Sequence, residues 1–282
     1  MRTALIRSTA LAKPILVGEG APLLLFSGPC QIESRDHCFK IAEHLLSITE
    51  QLPVSLVFKA SFDKANRSSI SNARGVGIDE GLAILQEIKS KFSLPVITDI
   101  HESCQAAVVA EVVDVIQIPA FLCRQTDLLM AAGATGKCVH IKKGQFLPPE
   151  DMKYAAQKVA QAGGDSILLC ERGTCFGYRD LVVDMRGLVT LRDLGYPVIF
   201  DGTHSVQSLG GSGGGVSGGN RRFVEPLCRA AIAVGIDGIF LECHEEPERA
   251  PSDGLSMLPL DEMGSLLKRL SFIKTTIECK EK

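Results

Sequence analysis

The segment Phe58–Ile70 reads FKASFDKANRSSI and joins the end of an apolar run to a polar, cationic loop. The apolar run is typical of a buried β-strand. Lys59, Lys64 and Arg67 then follow within nine residues, among hydroxyl and amide side chains. Such cations beside hydrogen-bond donors suit a phosphorylated anion, but composition alone fits an ordinary solvated loop equally well. The rest of the chain decides between these interpretations.

The chain contains eight apolar, β-branched runs, this one included, and segments with helical periodicity separate them. The predicted strands are Leu23–Ser27, Leu56–Ala60, Val96–Ile100, Val115–Pro119, Val139–Lys143, Ile167–Glu171, Val198–Gly202 and Gly238–Glu242. The predicted helices are Asp36–Gln51, Asp79–Phe92, Glu102–Val112, Gln125–Ala134, Pro149–Ala162, Asp180–Leu194, Arg222–Gly235 and Leu260–Ile277. Nearly continuous apolar strands that alternate with helices indicate a parallel sheet. Eight such units in 282 residues predict an α/β fold, the (β/α)8 TIM barrel.

The sequence shows no linker or low-complexity tract that would divide the barrel, so we expect one domain over residues 1–282. Residues 1–18 predict a short N-terminal hairpin, in which Ala4–Ile6 pairs with Ile15–Val17. The glycine-rich segment Gly210–Gly219 follows the seventh predicted strand, and we interpret it as a flexible active-site loop.

Composition excludes several classes of protein. Hydrophobic residues make up 45% of the chain and charged residues 22%, which argues against wholesale disorder. The net charge of −3 argues against a nucleic-acid binder. No apolar run reaches the roughly 18 residues of a membrane-spanning helix. The ten cysteines are scattered without framework spacing, which favours reduced thiols in a cytoplasmic protein.

Six cations are predicted at the C-terminal ends of the strands, where the chemistry of such barrels lies. They are Lys59, Lys64, Arg67, Arg124, Lys142 and Arg172. This is more positive charge than one phosphate needs, so it suits a substrate with phosphate and carboxylate groups or two anionic substrates. The alternative is that some of these cations pair with acids that follow the same strands, such as Asp99, Glu171 and Asp201.

A second group at the strand ends offers one thiol, one imidazole and two carboxylates. Its members are Cys30, His204, Glu242 and Asp253, a donor set that can bind one divalent transition metal. They are far apart in the sequence, and only the barrel assignment brings them together. The residues alone leave open whether Cys30 is a ligand or a buried thiol.

Eight motifs spread along the chain make a family resemblance specific. They are GPCQIESRD (28–36), FKASFDKANRSS (58–69), TDIHES (98–103), IQIPAFLCRQTDLL (116–129), IKKGQF (141–146), CERGTCFGY (170–178), FDGTHSVQ (200–207) and SDGLSMLPL (252–260). In register from about Leu23 to Leu260, the chain resembles the 3-deoxy-D-manno-octulosonate 8-phosphate synthases, and KANRSS is the most diagnostic motif.

The resemblance implies a TIM barrel that is usually a homotetramer. It implies condensation of phosphoenolpyruvate with D-arabinose 5-phosphate and water, with release of phosphate, in Kdo and lipopolysaccharide biosynthesis. The alternative enzyme is 3-deoxy-D-arabino-heptulosonate 7-phosphate synthase, which typically carries a KPRT-type motif where this chain has KANRSS. A non-catalytic barrel that binds sugar phosphates is an alternative from a different class.

The resemblance also assigns roles to residues. Phosphoenolpyruvate is matched to Lys59, Lys64, Lys142 and Arg172, assisted by Ser61 and Gln117, and arabinose 5-phosphate to Asn66, Arg67 and Ser68. Arg124 matches a residue that reaches the site of a neighbouring subunit. Lys64 and His204 are candidates for proton transfer, and Lys142 and Cys30 complete the catalytic set, with Asp99 and His101 as orienting residues at the substrate site.

Within this family, Cys in the first-strand motif marks a metal-dependent branch, where the other branch has Asn. The resemblance therefore implies one divalent transition metal (Fe²⁺, Zn²⁺ or Mn²⁺) on Cys30, His204, Glu242 and Asp253. Two positions depart from the family pattern: His140 stands where Asn is expected, and Glu245 where Pro is more usual.

Overall fold

The computed structural model describes residues 2–67, 69–175, 179–208 and 218–278, and within these ranges a parallel barrel of eight strands is surrounded by α-helices. The strands are β1 (Thr3–Ile6), β2 (Ile15–Gly18), β3 (Leu23–Gly28), β4 (Val54–Lys59), β5 (Val96–Asp99), β6 (Val115–Ile118), β7 (Cys138–Lys142), β8 (Ile167–Glu171), β9 (Val198–Asp201), β10 (Gln207–Ser208), β11 (Gly218–Gly219), β12 (Gly238–His244) and β13 (Leu258–Pro259). The predicted TIM barrel is confirmed.

The barrel consists of β3 to β9 and β12, each hydrogen-bonded in parallel to its neighbours. It closes because β12 pairs on one side with β3, Gly238 opposite Leu24, and on the other side with β9, Gly238 opposite Ile199. A Cβ at Gly238 would lie 2.6 Å from Ile199 Cδ1, so the closure depends on a residue without a side chain. Closure brings the C-terminal ends of all eight strands to one mouth.

The outer ring of described α-helices comprises α1 (Arg35–Thr49), α2 (Ile78–Phe92), α3 (Gln105–Val112), α4 (Thr126–Gly133), α5 (Met152–Gln161), α6 (Arg186–Asp193), α7 (Val224–Val234) and α8 (Met263–Glu278). Each lies on the barrel through an apolar face; α1 buries Phe39, Ile41 and Leu45 at spacings of two and four residues. Its start is fixed by Ser34, whose hydroxyl accepts a hydrogen bond from the backbone N–H of His37.

The predicted sixth helix, Asp180–Leu194, is shorter in the structure, where α6 begins at Arg186. The residues before it are held in bridges instead: Thr174 and Val182 exchange backbone hydrogen bonds of 2.9 and 3.0 Å, and Asp180 bridges Ser208. These long-range pairs satisfy the backbone groups that a helix would have used.

The predicted N-terminal hairpin is confirmed as β1 and β2, which pair antiparallel from Thr3 opposite Gly18 to Ile6 opposite Ile15. Ile6 and Val17 are fully buried and pack with the inner core of the barrel. Arg7 forms a salt bridge of 3.0 Å with Asp165 before β8. The hairpin therefore covers the N-terminal end of the barrel, opposite the mouth.

Most of the predicted glycine-rich loop falls outside the described residues, which resume at Gly218. Gly218–Gly219 pairs antiparallel with Gln207–Ser208. Among the helices that the structure describes, none combines the length and apolar character needed to cross a membrane.

Candidate functional site

A cavity of about 500 Å³ lies at the C-terminal mouth of the barrel. Side chains that follow most of the barrel strands line it, and many of them are charged or carry amides. Those named in the sequence analysis are Lys59, Lys64, Asn66, Arg67, Asp99, His101, Gln117, Lys142, Arg172, His204, Glu242 and Asp253. Barrel closure therefore gathers into one cavity residues from nearly the whole length of the chain.

Five of the six predicted cations line this cavity, and Arg124 does not. The chain leaves β6 through a short 3-10 helix, Ala120–Leu122, which carries Arg124 to the exposed surface. There its backbone carbonyl accepts a hydrogen bond of 3.0 Å from Lys158 Nζ. The expectation that all six cations converge within one chain is thus not met.

Among the cations that line the cavity, Arg172 has buried donor nitrogens without a hydrogen-bond partner among the described residues. It is only 5% exposed, and Nη2 donates to Gln207 Oε1 at 2.6 Å. Its Nε and Nη1 are buried and have no partner among the described residues. Burial lowers the pKa of this guanidinium, although nearby carboxylates, Asp201 first among them, oppose the effect. A buried guanidinium with unsatisfied N–H groups is a ready site for a carboxylate or phosphate oxygen.

Lys59 and Lys142 form the floor of the cavity, and both pair with acids. Lys59 Nζ donates to Glu242 Oε1 at 2.6 Å and to the Cys30 carbonyl at 2.9 Å. Lys142 Nζ donates to Asp201 Oδ2 at 2.5 Å. These two lysines therefore pair with acids, which was the alternative that the sequence left open. Lys142 Nζ also lies 3.5 Å from the centre of the Phe240 ring, a cation–π contact that holds it over the barrel axis.

Lys64 heads a hydrogen-bonded chain along one wall of the cavity. Its Nζ donates to Ser61 Oγ at 3.0 Å, and Ser61 in turn donates to Asp99. His101 Nε2 lies 3.1 Å from the other oxygen of Asp99. Burial opposes charge on Asp99, yet the hydrogen bond from His101 and the charge of Lys64 hold its pKa well below the usual range. Asp99 is therefore an ionised carboxylate that orients Ser61 and His101.

Arg67 is held across the cavity mouth by three parts of the chain. Nε donates to the Ala73 carbonyl at 2.8 Å, and the other two nitrogens donate to Ser252 and Gln31. Asn66 lies beside it on the cavity lining, whereas the predicted Ser68 falls outside the described residues.

Three of the four predicted metal ligands lie together. Cys30 Sγ and carboxylate oxygens of Glu242 and Asp253 are all within 4.8 Å of one another. His204 lies just beyond that group, with Nε2 3.4 Å from Glu242 Oε2. Glu242 Oε2 is buried and accepts no hydrogen bond from any described residue, so it is free to bind a cation. Gly28, two residues before Cys30, has φ +156°, and a Cβ there would lie 2.1 Å from the Lys59 carbonyl oxygen.

Two details bear on these ligands. Asp201 Oδ2 lies 2.8 Å from His204 Nδ1, a contact that orients the ring and places Nε2 3.4 Å from Glu242 Oε2. Burial and then the charge of Glu242 raise the pKa of Cys30. Its thiol donates to Asp253 Oδ2 at 3.2 Å. A metal would have to displace this proton, as thiolate ligation requires.

A second cluster of possible ligands, Glu33, His37 and His244, lies nearby, but its hydrogen bonds argue against a metal. His244 Nδ1 accepts the backbone N–H of Glu246 at 2.9 Å, so the imidazole proton is on Nε2 and points at Glu33, 2.9 Å away. A ligating imidazole instead donates from its second nitrogen. The Glu33–His244 pair therefore connects the loop after β3 to the end of β12.

The sequence analysis missed Gln145 and Gln207, which line the cavity. Gln207 accepts from Arg172 and donates from Nε2 to Asp253 Oδ1 at 2.7 Å, so one amide links the open guanidinium to the candidate metal ligands. Both glutamines belong to motifs quoted above, IKKGQF and FDGTHSVQ, and their positions just beyond strand ends were the available signal.

His140, one of the two departures, is fully buried inside the barrel below the cavity. It stacks on Phe240, with ring centres 6.0 Å apart, and its Nδ1 donates to Gln117 Oε1 at 3.2 Å. That hydrogen bond directs the amide nitrogen of Gln117 away from His140. Burial, reinforced by the charge of Lys142, lowers the pKa of His140 to about 3, so the ring is neutral at physiological pH. The other departure, Glu245, pairs with Lys40 at 2.8 Å.

Comparisons with known proteins cover almost the whole chain. The model of the DAHP synthetase I family matches residues 6–278. A protein from Cyanothece sp. (strain PCC 7425 / ATCC 29141) is 56% identical over 93% of this chain and 95% of its own length. One from Brucella canis is 54% identical, with the same two coverages, and one from Bartonella henselae is 54% identical over 91% of each chain. All three are named 2-dehydro-3-deoxyphosphooctonate aldolase.

The buried neutral His140 predicts a specific pH dependence of stability. Its pKa falls on folding from 6.5 to about 3. The contribution of the neutral ring to the free energy of unfolding is therefore fully present above pH 6.5 and is lost as the pH falls toward 3, because in this range the unfolded chain binds a proton at His140 and the folded chain does not. Compared with His140→Asn, the wild-type free energy of unfolding should fall more steeply with acid, by up to about 1.4 kcal/mol per pH unit. Urea unfolding between about pH 7 and pH 5 measures this difference. Parallel curves for the two proteins would contradict a neutral buried ring.

Proposed function

This chain belongs to the DAHP synthetase I family, and from that membership and the cavity we propose that it condenses phosphoenolpyruvate with D-arabinose 5-phosphate and water. The products are 3-deoxy-D-manno-octulosonate 8-phosphate and phosphate. The name of the three relatives denotes this same enzyme, and they match over more than 90% of both chains. The single observation in the structure that carries the proposal is the buried, half-satisfied guanidinium of Arg172 in a cavity rich in cations.

Phosphoenolpyruvate carries a carboxylate and a phosphate on the same carbon, carbon 2, and the cavity offers matching charge. Arg172 would bind one of these groups through Nε and Nη1, while the ammonium groups of Lys59, Lys64 and Lys142 would donate hydrogen bonds to the rest of the anion. Ser61 and the amide nitrogen of Gln117 would complete its orientation. Fixing the anion in one pose exposes one face of its double bond to the second substrate.

Arabinose 5-phosphate would take the outer part of the cavity. Arg67 is directed there by its hydrogen bonds to Ser252, Gln31 and the Ala73 carbonyl, which makes it a suitable partner for the sugar's phosphate. Asn66 lies next to it on the lining. With both phosphates bound, the aldehyde carbon would lie deeper, toward carbon 3 of phosphoenolpyruvate.

The reaction then follows from the charges. Carbon 3 of the enol attacks the aldehyde carbon, and a carbon–carbon bond forms as positive charge develops at carbon 2. Water adds to carbon 2 and gives up one proton, which balances the proton that the aldehyde oxygen takes up to become a hydroxyl. The resulting tetrahedral intermediate releases phosphate by cleavage of its carbon–oxygen bond, and the second water proton leaves with the phosphate as the carbonyl forms at carbon 2. Although burial disfavours its charge, nearby acidic groups raise the pKa of Lys64, so Nζ is an ammonium that can donate a hydrogen bond to the aldehyde oxygen as negative charge develops on it.

We further propose that Cys30, His204, Glu242 and Asp253 hold one divalent transition metal. Support comes from the close packing of three of these ligands, from Glu242 Oε2, which accepts no hydrogen bond from a described residue, and from the position of His204 Nε2 3.4 Å from that oxygen. When bound, such an ion would act as a Lewis acid that orients and polarises the aldehyde. The donor set suits Fe²⁺, Zn²⁺ and Mn²⁺ alike. Lys59, which donates to Glu242 Oε1, would hold this carboxylate in place for the ion.

The homotetramer is a proposal that rests on the family resemblance. The placement of Arg124 supports it, because this arginine is exposed and lies outside the lining of its own cavity. An exposed arginine suits contact with a neighbouring subunit. The cytoplasmic location stays a prediction.

The function is tested by measuring phosphate release from phosphoenolpyruvate with each candidate aldehyde. We expect release with arabinose 5-phosphate and none with erythrose 4-phosphate. Release with erythrose 4-phosphate alone would contradict the proposal in favour of the heptulosonate synthase. Absence of release with either sugar, from protein loaded with Fe²⁺, Zn²⁺ or Mn²⁺ in turn, would favour the non-catalytic barrel.

The metal site is tested by metal content, independently of activity. Cys30→Ala should bind less than about a tenth of the wild-type amount after dialysis, because one of four ligands is lost. Cys228→Ala is the matched control, since Cys228 is an equally buried thiol on α7, outside the ligand group. Elemental analysis after loading with Zn²⁺ measures both variants. Equal metal content in Cys30→Ala and the wild type would show that Cys30 is a core thiol.

A further inference from the structure

The side chain of Lys143 is buried behind the cavity, on the opposite side of β7 from Lys142. Side chains alternate along a strand, so Lys142 faces the barrel axis and Lys143 faces the outer layer. Lys143 has no solvent exposure. Five oxygens lie within 3.2–3.5 Å of its ammonium: the carbonyls of Gly144, Leu147 and Gly173, Thr174 Oγ1 and Glu171 Oε1.

These oxygens come from two loops that both contribute to the cavity. The loop after β7 supplies two of them and carries Gln145. The end of β8 and its loop supply the other three and carry Arg172. A backbone hydrogen bond of 3.0 Å from Cys175 to the Gln145 carbonyl joins the same two loops. Lys143 is thus the charged centre of the junction between them.

The position of Arg172 depends on this junction through Glu171. Glu171 Oε1 lies 3.5 Å from Lys143 Nζ and also accepts the backbone N–H groups of Arg172 and Gly173, at 3.0 and 2.7 Å. One carboxylate oxygen therefore connects the buried ammonium to the backbone that carries the cavity guanidinium. At the other end of the side chain, the Arg172 guanidinium is held by one hydrogen bond to a described residue, Gln207.

Stability alone is a weak reason for such an arrangement. Burying an ammonium and a carboxylate is costly, and apolar residues of similar volume often stabilise a fold as well or better. The charged pair instead fixes positions, because each oxygen around Lys143 must stay within hydrogen-bond distance of the buried ammonium. The oxygens so fixed belong to the backbone that carries Arg172.

We propose that Lys143 is a positioning residue for phosphoenolpyruvate binding: by fixing Glu171 and the two loops, it aims the Arg172 guanidinium into the cavity. The inference rests on the proposed function, in which Arg172 binds this substrate. Lys143 itself does not line the cavity. Replacing Lys143 should therefore weaken the binding of phosphoenolpyruvate and leave the binding of arabinose 5-phosphate nearly unchanged.

The test compares two buried lysines of the same kind. The first test variant is Lys143→Met. Its matched control is Lys89→Met, because Lys89 is 5% exposed, pairs with Asp114 at 2.7 Å and also donates to a backbone carbonyl, but it lies outside the cavity lining. The second test variant is Lys143→Met with Glu171→Gln, which leaves no unpaired buried charge and whose amide oxygen can still accept the two backbone N–H groups. Unfolding midpoints and steady-state kinetics with each substrate are measured for all variants.

We expect both Lys143 variants to raise KM for phosphoenolpyruvate by about ten-fold or more, with kcat and KM for arabinose 5-phosphate within about three-fold of wild type. Lys89→Met should lower the unfolding midpoint without changing KM for phosphoenolpyruvate. An unchanged KM in the folded double variant, or an equal rise in Lys89→Met, would overturn the positioning role. Failure of the wild type to release phosphate from these substrates would instead refute the proposed function.

Discussion

The closed ladder of the barrel is the constraint on which the site depends. The strand Gly238–His244 pairs with both the first and the seventh barrel strands, and Gly238 stands at the point where both neighbours approach. Only after this closure do Cys30, from the start of the chain, and Asp253, from near its end, come within hydrogen-bond distance. Residues separated by more than 200 positions then act as one site.

Electrostatics determines what this site can bind. Lys59 and Lys142 are matched by Glu242 and Asp201, yet Arg172 keeps two buried nitrogens, Nε and Nη1, without hydrogen-bond partners among the described residues. Buried polar groups are normally satisfied, so such a gap indicates a ligand of complementary charge. Glu242 links the two functions of the cavity, because one oxygen holds Lys59 while the other stays free. Binding of an anion at Lys59 and of a metal at Glu242 would therefore influence each other through one carboxylate.

Hydrophobic periodicity was sufficient to predict the eight barrel strands and the N-terminal hairpin, because buried strands and amphipathic helices impose regular local patterns. The predicted start of the sixth helix, Asp180, was wrong, because the segment before Arg186 forms bridges with residues outside the helix that no local pattern reveals. The rule that functional residues follow the C-terminal ends of barrel strands predicted most residues of the candidate site. It could not show that Lys59 pairs with Glu242 or that Arg124 lies outside the cavity, because both depend on side-chain directions.

The central claim is that the open N–H groups of Arg172 bind phosphoenolpyruvate. A crystal structure of the protein with this substrate tests the claim most directly. The account predicts carboxylate or phosphate oxygens about 2.7–3.2 Å from both Nε and Nη1 of Arg172, in a cavity where Lys59, Lys64 and Lys142 also contact the anion. Phosphoenolpyruvate bound at this mouth without contact to Arg172, or bound elsewhere on the barrel, would contradict it.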